Sequence, residues 1–382
     1  MGTRTKITAD EIRRAIIAAA DPSSVLAFVD REISGALDLS DLTIVAPITF
    51  VDCSFSDAIV LRGASLSSIL FSACQLKGID GRGLRVKADF QICGVSEVNG
   101  AVRLDNTEIE GNLSCTNALI RGVDGDALIA DHARIEGHVL MCNGFASSAR
   151  VSLCRSQIGG MLYCAHGLFE HPGGVALAVE DTDIAGLVSL NHGFRARGLV
   201  SLKNTTIGKL LYCEHGTFEN PGGVALDADG LIVKGRVSLS EWFCAKGAVT
   251  MRNARLGEDL VCVGGLFMNP GGIAFDGEQL HVGRHVRMHK KFFAQGTVRL
   301  DRAKIDGTLY CGNARLENRG RVALSAIEAS FARDVSLGSG FCAEGSIVLD
   351  RAKIAGELDA DYAEYDELKM EGATIGGPTP TG

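Results

Sequence analysis

Cys164-x-His166 and Cys213-x-His215 each set a thiol two residues before an imidazole. Thiolate and imidazole are zinc ligands, so this spacing raises the question of a metal site. A structural zinc site needs four ligands converging on one ion, and no Cys-x-x-Cys pair supplies the rest. The expectation is a core cysteine followed by a turn histidine, with no metal and no cofactor. Asp227 and Asp276 offer a second chemistry, the paired carboxylates of a polysaccharide-acting enzyme. A third lies in "GRHVRMHKKFF" (283–293). Alternation there puts His285, Arg287 and His289 outward, with Val286 and Met288 inward. With Arg299, Arg302 and Lys304 they would make a basic patch able to hold phosphate or carboxylate. Tyr163, Tyr212 and Tyr310 fall at multiples of one interval along an outward column, and exposed tyrosine suits binding surfaces. The candidate partner-binding residues are therefore Tyr163, Tyr212, Tyr310, His285, Arg287, His289 and Arg299.

The elements that must position these residues come from an internal repeat. Val102, Val151, Val200, Val249, Val298 and Ile347 recur every 49 residues. So do Phe145, Phe194, Phe243, Phe292 and Phe341, and Cys115, Cys164, Cys213, Cys262 and Cys311. A fixed period in several apolar columns marks a repeat array. Ile109-x-Gly111-x-Leu113 returns as Ile135-x-Gly137-x-Val139 after 26 residues and as Ile158-x-Gly160-x-Leu162 after 23 more. Each unit is thus two coils. The longer coil carries Pro172-Gly173-Gly174, Pro221-Gly222-Gly223 or Pro270-Gly271-Gly272, turn chemistry expected at one corner. Within a coil, apolar and polar residues alternate, the period of short strands with one buried face.

The inward positions advance in steps of about five, as in Phe50, Phe55, Leu61, Leu66, Phe71 and Leu76. Small residues such as Cys53, Ala64 and Cys74 precede some of them by two. This pattern resembles the pentapeptide-repeat family over roughly residues 36–375. The resemblance implies an all-β fold, a right-handed parallel β-helix. Coil lengths put it at about 14 coils here, with corners longer than the family's. The recurring cysteines then point into the core two coils apart, ~9.6 Å, too far for a disulfide. Acidic rods of that family bind topoisomerases by copying duplex DNA, so a modulator of a topoisomerase or another nucleic-acid-binding protein is one reading. "DADYAEYDE" (359–367) is the acidic segment that invites it.

Solenoid ends need covering. Thr8-x-x-Glu11 is a capping box opening a helix to about Ala20. Asp21-Pro22 reads as the start of a second helix to about Glu32. The expected organisation is a helical N-terminal cap over 1–34, a β-solenoid over 35–375 and a flexible tail over 376–382. A homodimer through the C-terminal coil is a further expectation. The chain has 382 residues, 47 glycines, 7 prolines and a net charge of −8. That is too apolar for disorder and too mildly charged for direct nucleic-acid binding. "AIIAAA" (15–20) is too short to span a membrane, and regularly spaced cysteines with no Cys-x-x-Cys pair suit a reducing, cytoplasmic setting, expected to be of bacterial type. No Walker A or dinucleotide fingerprint is present. These features favour a non-catalytic scaffold that binds a macromolecular partner, a protein above all, through a rigid face or its C-terminal end.

Overall fold

The computed structural model describes residues 4–19, 21–22, 24–338 and 340–377. The chain is a nearly all-β parallel solenoid with one short helix. Its residues gather into two compact units, Met1–Ser189 and Leu190–Gly382.

In the first unit most coils carry four short strands, one to a side; near its end two of the sides are already joined in Leu168–Ala178. In the turn that starts at Ile48 these are Ile48–Val51, Ser54–Phe55, Ile59–Val60 and Ser65–Leu66. The sides are called walls one to four in that order. Wall one then stacks Ile48, Ile69, Phe90, Leu113, Val139, Leu162 and Val188 in parallel register. These anchors are first 21 residues apart, then 26 and 23 in alternation. Early coils are therefore shorter than half of a 49-residue repeat, and the winding begins at Leu26–Val29 rather than at 35. Both differences raise the total to about 16 coils, against about 14 expected.

Alternation does the folding work. Ile48, Phe50, Phe55, Ile59, Leu61 and Leu66 are buried, and the small-slot residues Cys53, Ala64 and Cys74 are buried with them. No coil could bury these side chains alone; stacking does it. Phe28, Phe50 and Phe71 stack with centroids 5.2 and 5.4 Å apart. Corners are turned by left-handed residues, among them Asn106, Asn117, His132, Asn143 and His166. Asn, Asp and His tolerate this conformation better than other side chains with a Cβ.

The N-terminal layer is only partly as expected. The helix Ala9–Ala18 forms with its capping box intact: Glu11 N donates to Thr8 Oγ1 at 3.2 Å and Thr8 N to Glu11 Oε2 at 2.8 Å. It buries Ile12 and Ile16. The second helix is not formed. Leu26–Val29 is a strand lying on Ile48–Val51, and Arg31–Ser34 pairs with Thr5–Thr8. Leu26 and Phe28 face inward while Val25 and Val29 are exposed, so the period is two and not 3.6. The described residues of 1–34 thus form the expected short N-terminal helix together with three strands in place of a second helix. Of the expected tail, 378–382 lies outside the described residues.

In the second unit, walls two and three merge into one long strand per coil. Eleven-residue strands, Thr217–Asp227, Leu266–Asp276 and Arg315–Ser325, alternate with seven-residue ones, Cys244–Thr250, Phe293–Arg299 and Cys342–Val348. The extra residues form an arm at the corner between these walls, Pro-Gly-Gly in the first two and Arg319-Gly320-Arg321 in the third. Asn220 Nδ2 closes its arm on Val224 O at 2.8 Å, and Asn269 and Asn318 repeat the bond. Arg321 Nη1 reaches Gly271 O of an earlier arm at 2.7 Å. The seven-residue strand crosses the same corner with one left-handed glycine, Gly247 at φ +124 or Gly296 at φ +119.

The aromatic core of this unit is a zigzag. Phe194, Phe243 and Phe292 rise from the corner of the short coils, and Phe218 and Phe267 from wall two of the long ones. Successive centroids lie 5.1 to 5.3 Å apart. Small residues interleave: Phe218 lies against Ala245 of the next coil, and Gly216 leaves room for its ring. Large and small residues alternate across facing positions, as close packing demands.

Candidate partner-binding face

Wall one of the second unit is built from two-residue strands, Leu211–Tyr212, Val237–Ser238, Leu260–Val261, Val286–Arg287, Leu309–Tyr310 and Val335–Ser336. The first residue of each is buried. The second forms the outward column Tyr212, Ser238, Val261, Arg287, Tyr310, Ser336. Tyr310 sits at the centre of a cluster. The Arg287 guanidinium carbon lies 5.3 Å from its ring centroid, and the His285 and His289 rings lie 5.6 and 6.1 Å away. Val286 and Met288 point into the core between them.

The cluster is braced from behind. Asp259 Oδ2 accepts from Arg287 Nε at 3.2 Å, and its Oδ1 accepts from His285 N at 3.0 Å. Thr308 N donates to His285 Nδ1 at 3.0 Å, which leaves the proton of the neutral ring on Nε2. Burial holds both imidazoles below their ordinary range, with Arg287 and Lys290 or Arg284 and Arg333 acting in the same direction. At neutral pH both rings are therefore uncharged, and Arg287 is matched by Asp259. The surface offers aromatic area and directed donors, with exposed Arg284, Lys290 and Arg333 adding positive charge around them.

The structure separates the rest of the expected basic patch. Arg299 ends wall three, two sides further round the coil, where its Nε and Nη2 grip Asp276 at 2.9 and 2.5 Å. Arg302 pairs with Glu278, and Lys304 with Asp306 at 3.4 Å on wall four. Asp227 and Asp276 do share a column with Thr250 between them. Asp276 is clamped by Arg299, and Asp227 accepts from Thr250 Oγ1 and Asp229 N. With Arg252 on Asp229 just past the strand ends, acids on this side are paired with arginines of the next coil. Tyr163 lies on wall one of the first unit between Leu140 and Ser189, half-buried like Tyr212 and Tyr310.

Each Cys-x-His motif divides between inside and outside. Cys164 and Cys213 are buried, while His166 and His215 are exposed corner residues with φ of 58° and 57°. Among the described residues no group of three or more His, Cys, Asp or Glu side chains is placed to hold a metal ion. Burial pushes the Cys115 and Cys311 thiols up to about 12 and raises those of Cys164, Cys213 and Cys262 well above their ordinary range. A buried neutral thiol is inert. In the native protein at pH 8, a maleimide is expected to label half-buried Cys93, Cys154, Cys244 and Cys342 well before these five. Equal labelling rates across the two groups in a peptide map would contradict that assignment.

One residue on this face escapes sequence reading. Trp242 is 74% exposed at the corner between walls one and two. It adopts φ +67, a left-handed slot that holds Gly193 and Gly340 49 residues before and 98 after. A bulky residue held there is strained by about 1–3 kcal/mol and left in water. Lys291 occupies the same slot with φ 71. Only an alignment of the repeats on this corner would reveal either.

The chain matches no protein-family model, no curated protein and no solved structure. Its fold defines it as a repeat β-solenoid. Among the described residues no helix is long and apolar enough to cross a membrane.

Proposed function

We propose that this protein is a non-catalytic scaffold whose second unit binds a protein partner along wall one and the adjoining corner. The observation that carries this reading is the Tyr310 cluster, in which His285, Arg287 and His289 surround one aromatic ring on a rigid wall. Trp, Tyr and Arg dominate the energetics of protein interfaces. Fixed strands lose little freedom on binding, which favours affinity. Trp242 on the same side supplies an exposed anchor. The five-residue steps support placing the chain as a long-cornered variant of the pentapeptide-repeat pattern. A DNA-copying surface would need a run of acids, and on the wall-three side Asp229 and Asp276 are paired with arginines of the next coil.

The test is partner capture with the intact protein. A Trp242→Gly, Tyr310→Ala double variant is expected to recover at least tenfold less partner than the native chain, with unchanged circular dichroism. The glycine relieves a left-handed side chain, so folding is not at risk. Lys353→Ala, on wall four, is expected to capture normally. Equal recovery by the double variant would remove wall one from the interface.

A further inference from the structure

The cysteines spaced 49 apart lie two coils from one another, but one other pair does not. Gln75 lies in register on Ser54, so Cys74 stands directly over Cys53 in the next coil. Among the described cysteines this is the one in-register pair in adjacent coils. The two thiols fill the same small slot and repeat the same bonds. Cys53 Sγ lies 3.2 Å from Phe28 O and 3.4 Å from Val51 O, and Cys74 Sγ 3.4 Å from Phe50 O and 3.3 Å from Ser72 O, each within reach of the one thiol proton. Adjacent parallel strands lie ~4.8 Å apart, inside the Cα separation that a disulfide spans.

The surroundings distinguish the two sulfurs. A hydrogen bond from Cys74 is the main influence drawing the Cys53 thiol below its ordinary range, helped by the backbone N–H of Arg31 and the charge of Arg4. The same contact pushes the Cys74 thiol up. Both sulfurs are buried, but the cover over Cys53 is thin: half-buried Arg31 stands in register on it in the preceding coil, beside the half-buried Phe28 whose carbonyl meets its thiol. A thin cover of this kind opens locally more easily than the deeper coils.

We infer that Cys53 and Cys74 are a redox-active dithiol that a hydroperoxide closes to an inter-coil disulfide. The Cys53 thiolate attacks one peroxide oxygen and breaks the O–O bond. Hydrogen peroxide thus leaves a sulfenic acid on Cys53 and a hydroxide that takes up a proton to become water. Cys74, deprotonated, attacks the Cys53 sulfur and displaces hydroxide, which leaves as a second water with the Cys74 proton. Two thiols are oxidised by two electrons and one peroxide is reduced.

The test treats the intact protein with hydrogen peroxide at pH 8, blocks remaining thiols with N-ethylmaleimide and maps the peptides. The expected result is a linked pair, Cys53 to Cys74, reversed by dithiothreitol, with these two thiols lost whether or not the half-buried cysteines also oxidise. Cys53→Ser and Cys74→Ser abolish the link, and Cys115→Ser keeps it. Should a serine variant fail to fold, the map and thiol count on the native chain still decide. Recovery of both peptides alkylated after the half-buried cysteines have oxidised overturns the inference. So does linkage of either cysteine to any other.

Discussion

Gly247→Ala is expected to destabilise the second unit by about 3 kcal/mol or more. Two effects add. A Cβ at Gly247 would stand 2.5 Å from Asn220 O and 2.8 Å from Gly223 O, backbone atoms of the arm beneath it. Its φ of +124° is also one that L side chains rarely adopt. The arm is tied by Asn220 to Val224 and cannot give way cheaply. Gly222→Ala is the control: φ is +76° but nothing lies within 4 Å, so only about 1 kcal/mol of backbone strain is expected. Urea denaturation followed by circular dichroism would compare them. If the two variants unfold at the same urea concentration, crossing the arm is not what demands glycine at 247.

Phe218→Ala is expected to cost about 3–5 kcal/mol. The ring is fully buried between Phe194 at 5.1 Å and Phe243 at 5.3 Å. Its neighbours are Gly216 and Ala245, too small to fill the hole. Phe218→Leu is expected to cost under about 1.5 kcal/mol, since volume is nearly kept. The protein already places Leu316 in the equivalent slot two repeats on. Similar losses for Ala and Leu, measured by thermal melting, would show that the stacked rings and not the filled volume matter here.

Much of this architecture was legible because a solenoid converts sequence period into spatial register. The outward column from Tyr212 to Ser336 and the inward Val286 and Met288 follow from alternation alone. What failed was inference from nearness along the chain. Arg299 lies twelve residues from Arg287, yet in a coil of 23 to 26 residues that is half a turn, and it faces away. Leu26–Val29 was obscured by Asp21-Pro22, a helix-start signal, because four residues of alternation are too few to outweigh it. Gly198, Gly247, Gly296 and Gly345 share one corner at the repeat interval, all with φ above +115°. They look like ordinary turn glycines until the arm they pass beneath is known. The dithiol was hidden because the conspicuous cysteine period is two coils, and the reactive spacing is one.

The alternation of arm and glycine crossing also limits how the second unit can change size. Excising a single coil would seat one Pro-Gly-Gly projection directly on another, where the only tolerated neighbour is a bare backbone hop. Removing or duplicating a full stretch of 49 residues keeps every projection above its proper gap. Growth and shrinkage by recombination are thereby quantised in pairs of layers, and a designed longer version should be assembled from that doublet.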